Sequence, residues 1–301
     1  MTTSPTVTGE QLTLAALDGY PLAATRYPAP PDAGPPRGQL VVAAATAVPR
    51  PYYRRFAQFA AAHGYPTLTV DYRGIGGSRP PSLRGFAATM LDWAELDLAA
   101  AITLVADEAD ADGVPLHLIG HSFGGQAVGL LPDASRLTSA YVVGTGTGWH
   151  GHMPLVEQVR VWAMWNLAGP VLVRWKGYLP WSLLGGEDVP LGVYRQWRHW
   201  CAARGWAFRD PAFAHLTSRF EQVRTPIVAV SATDDRWAPP PSRDALMAGY
   251  RNAPWRGVDV DPRALGLREI GHMGYFRPPA RPLWEAALVE LDRYAPAAGG
   301  G

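Results

Sequence analysis

The chain has 301 residues, of which 48% are hydrophobic and 18% are charged, and its 27 basic residues nearly balance 26 acidic ones. A chain of this length can bury a full apolar core without disulfides or a structural metal. The net charge of +1 argues against a nucleic-acid-binding protein, which normally carries a basic excess. Cys201 is the only cysteine, so intramolecular disulfides and multi-cysteine zinc sites are excluded.

The N-terminal segment and the most apolar stretch bear on the compartment. The first ten residues contain no basic residue and no apolar run, so we expect no signal peptide and a cytoplasmic protein. The most apolar segment, residues 161–173, contains Asn166 and Pro170 and is too short to span a bilayer. We therefore expect no stable membrane span.

Short apolar runs alternate with longer helical patterns along most of the chain. Residues 12–16 and 22–27 flank Asp18-Gly19 and predict a β-hairpin with a primed turn. Continuous apolar runs, typical of strands buried on both faces, occur at residues 40–45, 67–70, 116–119, 141–143, 227–230 and 267–270. Helical patterns occupy residues 51–63, 90–106 and 283–294. The alternation predicts an α/β protein with a mainly parallel central sheet flanked by helices.

The segment from residue 149 to residue 222 interrupts this alternation. It contains no convincing strand, and it holds eight of the twelve tryptophans: Trp149, Trp162, Trp165, Trp175, Trp181, Trp197, Trp200 and Trp206. We predict that residues 149–222 form a mostly helical cap inserted after the sixth strand. Residues 1–148 and 223–301 are then predicted to form the core.

A glycine-rich motif, Gly120-His-Ser-Phe-Gly124, lies between a predicted strand and a helical stretch. In this context the G-x-S-x-G pattern predicts a sharp, crowded turn that lifts the hydroxyl of Ser122 above the sheet as a nucleophile. The amide of Phe123, at the start of the following helix, is then placed to stabilise an oxyanion. A serine that only caps the turn is the alternative interpretation.

A serine nucleophile needs a base, and the base needs an acid that orients it. Where the motif follows a strand and precedes a helix, the chain order is Ser, then Asp or Glu, then His. Asp235 is the preferred acid because it lies four residues before Pro239, whereas Asp234 is expected to cap the turn. His272 lies between glycines after the last predicted strand and is the candidate base, although both aspartates could merely cap their loop.

The other histidines are interpreted structurally. His121 is expected to support the turn beside Ser122 rather than to act as the base. The pair in His150-Gly-His152 lacks partners with a metal-site spacing, so we expect no metal. The glycine-rich segment 71–78 lacks the lysine of a phosphate loop, and no dinucleotide fingerprint occurs, so we expect no organic cofactor.

Together, these motifs resemble the α/β-hydrolase family, and more narrowly a bacterial group of predicted hydrolases near the serine-aminopeptidase and monoglyceride-lipase branch. The resemblance covers essentially the whole chain and is carried by residues 43–49, 71–78, 120–125, 233–235, 238–240 and 270–277. It implies Ser122 as nucleophile, His272 as base and Asp235 as acid. It does not specify a substrate.

One segment departs from the family pattern. Most members carry His-Gly after the third strand, where the next amide completes the oxyanion hole. This chain has Ala44-Ala-Thr-Ala47 at that place. The amide of Thr46 or Ala47 can still donate, because the hole uses backbone groups.

The tryptophans of the cap suggest where substrate binds. Most are expected to pack the cap onto the core, and two or three are predicted to line an apolar acyl-binding or aromatic-binding pocket. Trp162, Trp165 and Val161 share one amphipathic stretch and are the predicted substrate-binding residues. Membrane-surface docking by this stretch is the weaker interpretation, since only Arg160 and Arg174 lie nearby as cations.

The sequence therefore predicts a serine hydrolase that cleaves carboxylic esters of small molecules through an acyl-enzyme on Ser122. The substrate is expected to carry an apolar acyl or aromatic group. Acyltransferase, thioesterase, lactonase and peptidase activities share the same chemistry. A non-catalytic binding protein of the same fold is the alternative from a different class.

Overall fold

The computed structural model describes residues 7–294, which are built around one eight-stranded sheet with the strand order β1-β2-β4-β3-β5-β6-β7-β8. The strands are β1 (Glu10–Ala15), β2 (Pro21–Tyr27), β3 (Gln39–Ala43), β4 (Thr67–Val70), β5 (Leu116–His121), β6 (Ser139–Val143), β7 (Ile227–Ala232) and β8 (Trp255–Val260). The pairs β1–β2 and β2–β4 are antiparallel, and all pairs from β4 to β8 are parallel. The predicted, mainly parallel sheet is confirmed.

Helices cover both the sheet and one of its ends. They are α1 (Arg54–Ala62), α2 (Met90–Asp92), α3 (Ala99–Asp112), α4 (Phe123–Gln126), α5 (Leu155–Ala163), α6 (Gly169–Lys176), α7 (Leu191–Ala202), α8 (Ala214–Gln222), α9 (Pro240–Met247) and α10 (Arg281–Leu291). Turns of π-helix join α2 to α3 over Trp93–Leu98 and α5 to α6 over Met164–Ala168. No helix in the described range 7–294 is long and apolar enough to cross a membrane.

The predicted N-terminal hairpin is present, but its turn differs from the prediction. The amide of Ala16 donates to the carbonyl of Tyr20 at 2.8 Å, which closes a longer loop than a primed two-residue turn. Gly19 has φ +86°, whereas Asp18 does not have the positive φ that a type I′ turn requires. The carboxylate of Asp18 instead accepts two hydrogen bonds from Arg73. This contact with the core fixes the wider loop.

The prediction of a strand at residues 267–270 is wrong. Those residues form an irregular loop, in which the amide of Ile270 donates to the carboxylate of Asp234 and not to a neighbouring strand. The last strand is β8, which lies at the sheet edge and is largely exposed. As an edge strand with polar and charged positions, β8 has no continuous apolar run that would predict it from the sequence.

The segment between β6 and β7 forms the predicted mostly helical cap, with α5 to α8 and only one isolated β-bridge, Leu179–Val189. Its buried side chains belong to the same apolar cluster as the sheet, including Trp165, Trp200 and Trp206. Core and cap therefore share one hydrophobic interior. We propose the division at residues 149 and 222 as the boundary between them.

The parallel strands bring four loops to one edge of the sheet. In the chain, residues 44–48 follow β3, Ser122 follows β5, Asp235 follows β7, and His272 lies in the loop after β8. The cap leaves the sheet at the same edge, after β6. Ligand sites of open α/β sheets occur at this carboxyl edge, so the fold gathers the candidate residues under the cap.

Candidate active site

The turn that carries Ser122 is strained and tightly packed. Ser122 has φ +51°, a left-handed conformation that a non-glycine residue adopts only under constraint. A Cβ on Gly120 would lie 2.7 Å from the amide of Gly125, and one on Gly124 would lie 2.0 Å from the carbonyl oxygen of Ala43. The two glycines of the motif are therefore required sterically, as the sequence predicted.

The structure brings Ser122, His272 and Asp235 into one line of hydrogen bonds. Nε2 of His272 lies 3.1 Å from Oγ of Ser122. On the other side of the ring, Nδ1 lies 3.1 Å and 3.0 Å from the two carboxylate oxygens of Asp235. The carboxylate is fully buried, while the imidazole keeps 19% of its side-chain surface exposed. The carboxylate of Asp235 thus orients the ring through Nδ1, and the exposed part of the ring remains accessible to a substrate.

Asp235 is held as a charged acceptor. Its carboxylate accepts from the amides of Trp237 at 2.9 Å and Ala238 at 3.0 Å, and from the hydroxyl of Tyr275 at 3.2 Å. Burial raises the pKa of Asp235, but His272 and the two amides outweigh burial and hold the pKa below its ordinary value. An ionised carboxylate therefore faces the imidazole at neutral pH.

Asp234 has a different set of partners. Its carboxylate accepts from the amides of Ile270 and Gly271, both at 3.0 Å. It lies outside the line of hydrogen bonds to Ser122 and caps the loop that leads to His272. The geometry therefore separates the two adjacent aspartates into an orienting group and a loop-capping group.

His121 connects three parts of the site. Its Nε2 donates to the carbonyl of His272 at 2.9 Å, and the hydroxyl of Tyr53 donates to its Nδ1 at 3.0 Å. That hydroxyl also accepts from the amide of Ala45 at 2.8 Å. Because the carbonyl of His272 can only accept, the proton of the neutral His121 ring lies on Nε2. Burial lowers the pKa of His121 to about 3, so the ring is neutral. It supports the turn, and it is not placed as a base.

Residues 44–48, here called the oxyanion loop, form a tight turn. The amide of Val48 donates to the carbonyl of Ala45 at 3.2 Å, and Ala47 has φ +62°. A positive φ at the third position of a four-residue turn normally calls for glycine, so Ala47 is under strain. The amide of Glu187 in the cap donates to the carbonyl of Ala47 at 2.9 Å. The cap thereby holds the strained residue in place.

Three backbone amides beside Ser122 have no acceptor within the described residues. They are the amides of Thr46 and Ala47 in the oxyanion loop and of Phe123 at the start of α4. The side chain of Phe123 is buried against Tyr72 and Trp93, which fixes its backbone. Unpaired amides on well-supported backbone can donate to an anionic oxygen.

A cavity of about 640 Å³ lies between the core and the cap and reaches Ser122 and His272. Four tryptophans line it: Trp165, Trp181, Trp197 and Trp237. The ring centroids of Trp165 and Trp197 are 4.9 Å apart, and those of Trp181 and Trp197 are 5.4 Å apart. Trp237 stacks beside His272 with the ring centroids 6.1 Å apart. The indoles form a continuous aromatic wall that ends at the imidazole.

Only one of the three predicted substrate-binding residues lines this cavity. Trp165 does, whereas Val161 is buried away from the cavity lining and Trp162 is 49% exposed to solvent. The sequence groups the three residues in one amphipathic stretch, but successive residues of a helix point in directions about 100° apart and meet different surroundings. Trp237 was missed, although its position two residues after Asp235 placed it near the site.

The site has no arrangement suited to a metal. Among residues 7–294, no group of three or more His, Cys, Asp or Glu side chains is placed to hold an ion. Cys201 lines the cavity, and burial raises the pKa of its thiol to about 12. The thiol is therefore protonated and serves as part of the wall.

A family model described as the alpha/beta hydrolase family matches residues 40–281. The chain belongs to the α/β-hydrolase family. No curated protein sequence matches this α/β-hydrolase significantly.

Solved structures share its fold at low sequence identity. A soluble variant of monoglyceride lipase from Saccharomyces cerevisiae matches with a TM-score of 0.65 and 15% identity, over 99% of this chain and 98% of that chain. An esterase from Pyrococcus furiosus matches with a TM-score of 0.62 and 13% identity, over 96% of this chain and 94% of that chain. A puromycin hydrolase matches with a TM-score of 0.63 and 20% identity. The match covers 99% of this chain but only 42% of the longer puromycin hydrolase chain.

Proposed function

We propose that this α/β-hydrolase is a serine hydrolase that cleaves carboxylic esters through an acyl-enzyme on Ser122. The observation that carries the proposal is the position of His272 between Ser122 and Asp235, with both ring nitrogens within hydrogen-bond distance of their partners. The ring can accept the serine proton at Nε2 while Nδ1–H donates to the carboxylate. The esterase and lipase among the structural neighbours are compatible with this chemistry.

The reaction then proceeds in two stages. Oγ of Ser122 attacks the ester carbonyl as His272 takes its proton, and His272 returns that proton to the departing alcohol. Water attacks the resulting acyl-enzyme as His272 accepts a proton from it. His272 then returns this proton to Oγ of Ser122 as the bond to the acyl group breaks and the carboxylic acid leaves. Asp235 remains ionised throughout and stabilises the imidazolium.

The oxyanion of each tetrahedral intermediate requires two donors. We assign them to the amides of Phe123 and Thr46. The Thr46 amide is better fixed than that of Ala47, because the turn bond from Val48 to Ala45 holds the peptide that contains it. The loss of His-Gly at this place therefore leaves a complete set of backbone donors.

The cavity supports an ester with an apolar acyl or aromatic group. Its volume of about 640 Å³ falls within the usual range of small-molecule sites, and its wall includes four indole rings. Stacking and burial against these rings favour flat or extended apolar groups. We infer that the acyl part of the substrate lies along Trp165 and Trp197.

Hydrolysis of p-nitrophenyl esters from acetate to decanoate tests both the nucleophile and the pocket. We expect wild type to turn over the longer esters, and Ser122→Ala to lose about 10⁴-fold or more of kcat. Trp165→Ala should lower kcat/KM for decanoate at least about tenfold more than for acetate, because it removes part of the wall.

Trp162→Ala is the matched control, since this tryptophan lies in the same helical segment but outside the cavity. It should leave the chain-length profile unchanged. Equal losses for all esters in Trp165→Ala, or equal effects of the two tryptophan variants, would refute the acyl pocket.

Adding an alcohol or amine acceptor to the same assay tests acyl transfer, which would appear as a new ester or amide in place of free acid.

A further inference from the structure

Large apolar side chains are concentrated on the outside of the cap. Of the thirteen exposed large apolar residues in the described part of the chain, nine lie between residues 155 and 184. Seven of them follow the helix made of α5, the π turn and α6: Leu155, Val156, Val159, Trp162, Leu167, Val171 and Trp175. Each is between 49% and 74% exposed. Concentrated exposure of this kind marks an interaction surface.

The seven residues form one stripe because of the π turn. Leu155 and Val156 are adjacent, and from Val156 onward the spacing is three or four residues on either side of the π turn and five residues from Trp162 to Leu167 across it. A π turn accommodates about one more residue than an α turn, so both halves of the stripe stay on one helix face. The π turn ends two residues before Pro170, which lacks the N–H that a regular α-helix would use there. The result is an apolar face about 30 Å long.

The charges around the stripe are positive. Arg160 has 70% of its side chain exposed, Arg174 is exposed, and Lys176 lies against the ring of Trp175 at 4.1 Å. The only carboxylate of this helix, Glu157, is buried with 8% of its side chain exposed and pairs with Arg160 at 3.3 Å. Arg174 and Lys176 have no carboxylate partner among the described residues. The face therefore combines apolar side chains with arginine and lysine and presents no carboxylate of its own.

This charge pattern disfavours a second copy of the chain as the occupant. A two-fold symmetric contact pairs the same surface on both copies. An antiparallel contact centred near Leu167 would place Arg160 of one copy opposite Arg174 of the other, and the one carboxylate of the helix, Glu157, is buried beside Arg160. A negatively charged apolar surface fits both features of the face, and anionic phospholipid membranes provide one.

We propose that the outer face of the α5–α6 helix docks on the surface of a lipid bilayer that contains anionic phospholipids. The helix lies in the plane of the interface with its apolar stripe among the acyl chains, and Arg160, Arg174 and Lys176 contact the headgroups. Trp162 and Trp175 have the amphipathic rings that favour this depth. Docking goes beyond the proposed hydrolysis and does not depend on it.

Cosedimentation with phosphatidylcholine vesicles, with and without phosphatidylglycerol, tests the proposal. We expect wild type to bind the anionic vesicles, and to bind at least about fivefold less when phosphatidylglycerol is omitted or salt is raised. Val171→Glu should lower binding to anionic vesicles at least about tenfold, because it places a charge in the stripe. Arg174→Glu should lower it as well.

Val289→Glu is the matched control, since Val289 is an equally exposed valine on α10 outside the cap. It should bind as wild type does. Wild type that stays in the supernatant with anionic vesicles, or equal binding by the two valine variants, would overturn the proposal. Sedimentation velocity provides a second check, because a dimer that Val171→Glu dissociates would assign the face to a second copy instead. Neither readout requires catalysis, so failure here leaves the proposed hydrolase activity untouched.

Discussion

At the scale of residues, two adjacent aspartates have separate partners. Asp235 faces the imidazole of His272 and two backbone amides, whereas Asp234 caps the loop before His272. The sequence could rank them only by the distance to Pro239. The structure supplies the physical distinction, because both oxygens of Asp235 lie within 3.1 Å of Nδ1 of His272, whereas the oxygens of Asp234 accept from the amides of Ile270 and Gly271.

We expect Asp235→Asn to lower kcat on the order of 10³-fold to 10⁴-fold, since the amide cannot stabilise the imidazolium or select its tautomer. Asp234→Asn is the matched control and should lower kcat less than about tenfold. Steady-state rates on one ester measure both. Similar losses in the two variants would contradict the assigned roles.

The charge of Asp235 also has a consequence for pH. Its pKa lies below the ordinary value near 3.8, so the carboxylate stays ionised as the pH falls from 8 to about 4. The stabilisation that it gives to the imidazolium is present throughout this window and is lost only below it. Protonation of Asp235 therefore does not produce a loss of activity between pH 5 and pH 8.

At the scale of elements, the oxyanion loop and the cap are joined by one main-chain hydrogen bond. The amide of Glu187 donates to the carbonyl of Ala47, which is held in a left-handed conformation that costs about 1–2 kcal/mol. Arg79 of the core pairs with Asp188 at 3.0 Å and anchors the same part of the cap. The cap thus contributes to the shape of the site through its backbone.

Replacing Glu187 by proline removes this donor, and replacing it by alanine keeps the donor. We expect Glu187→Pro to lower kcat about tenfold to a hundredfold with little change in KM, because Thr46 is no longer fixed toward the oxyanion. Glu187→Ala should retain at least about half of the wild-type kcat. Two variants with the same kcat, or a change in KM alone, would show that the bond does not position the oxyanion loop.

Sequence patterns located some elements better than others. The buried parallel strands and the turn at Ser122 follow from continuous apolar runs and from a motif whose glycines are sterically required. The edge strand β8 was missed because its exposed positions carry polar residues, and a buried-looking run at 267–270 took its place. The turn at Ala47 has no sequence signal, since a left-handed alanine depends on tertiary contacts.

At the scale of the whole molecule, one apolar interior extends from the sheet into the cap and leaves a cavity where the two meet. The sequence indicated a tryptophan-rich insertion above the sheet, and the family and fold followed from motifs spread over the chain. It could not indicate which tryptophans line the cavity, because periodicity shows that a face is buried but not what it is buried against. Trp165 and Trp162 illustrate this, being three residues apart with opposite surroundings.

The central claim is that Ser122 is an activated nucleophile. Labelling of the folded protein with a fluorophosphonate, followed by intact-mass measurement of wild type and Ser122→Ala, tests it most directly. We expect a single adduct on wild type and none on Ser122→Ala, because only a serine with a working base and oxyanion donors attacks the phosphorus. A folded wild-type protein that forms no adduct, or an adduct of equal yield on Ser122→Ala, would contradict the account.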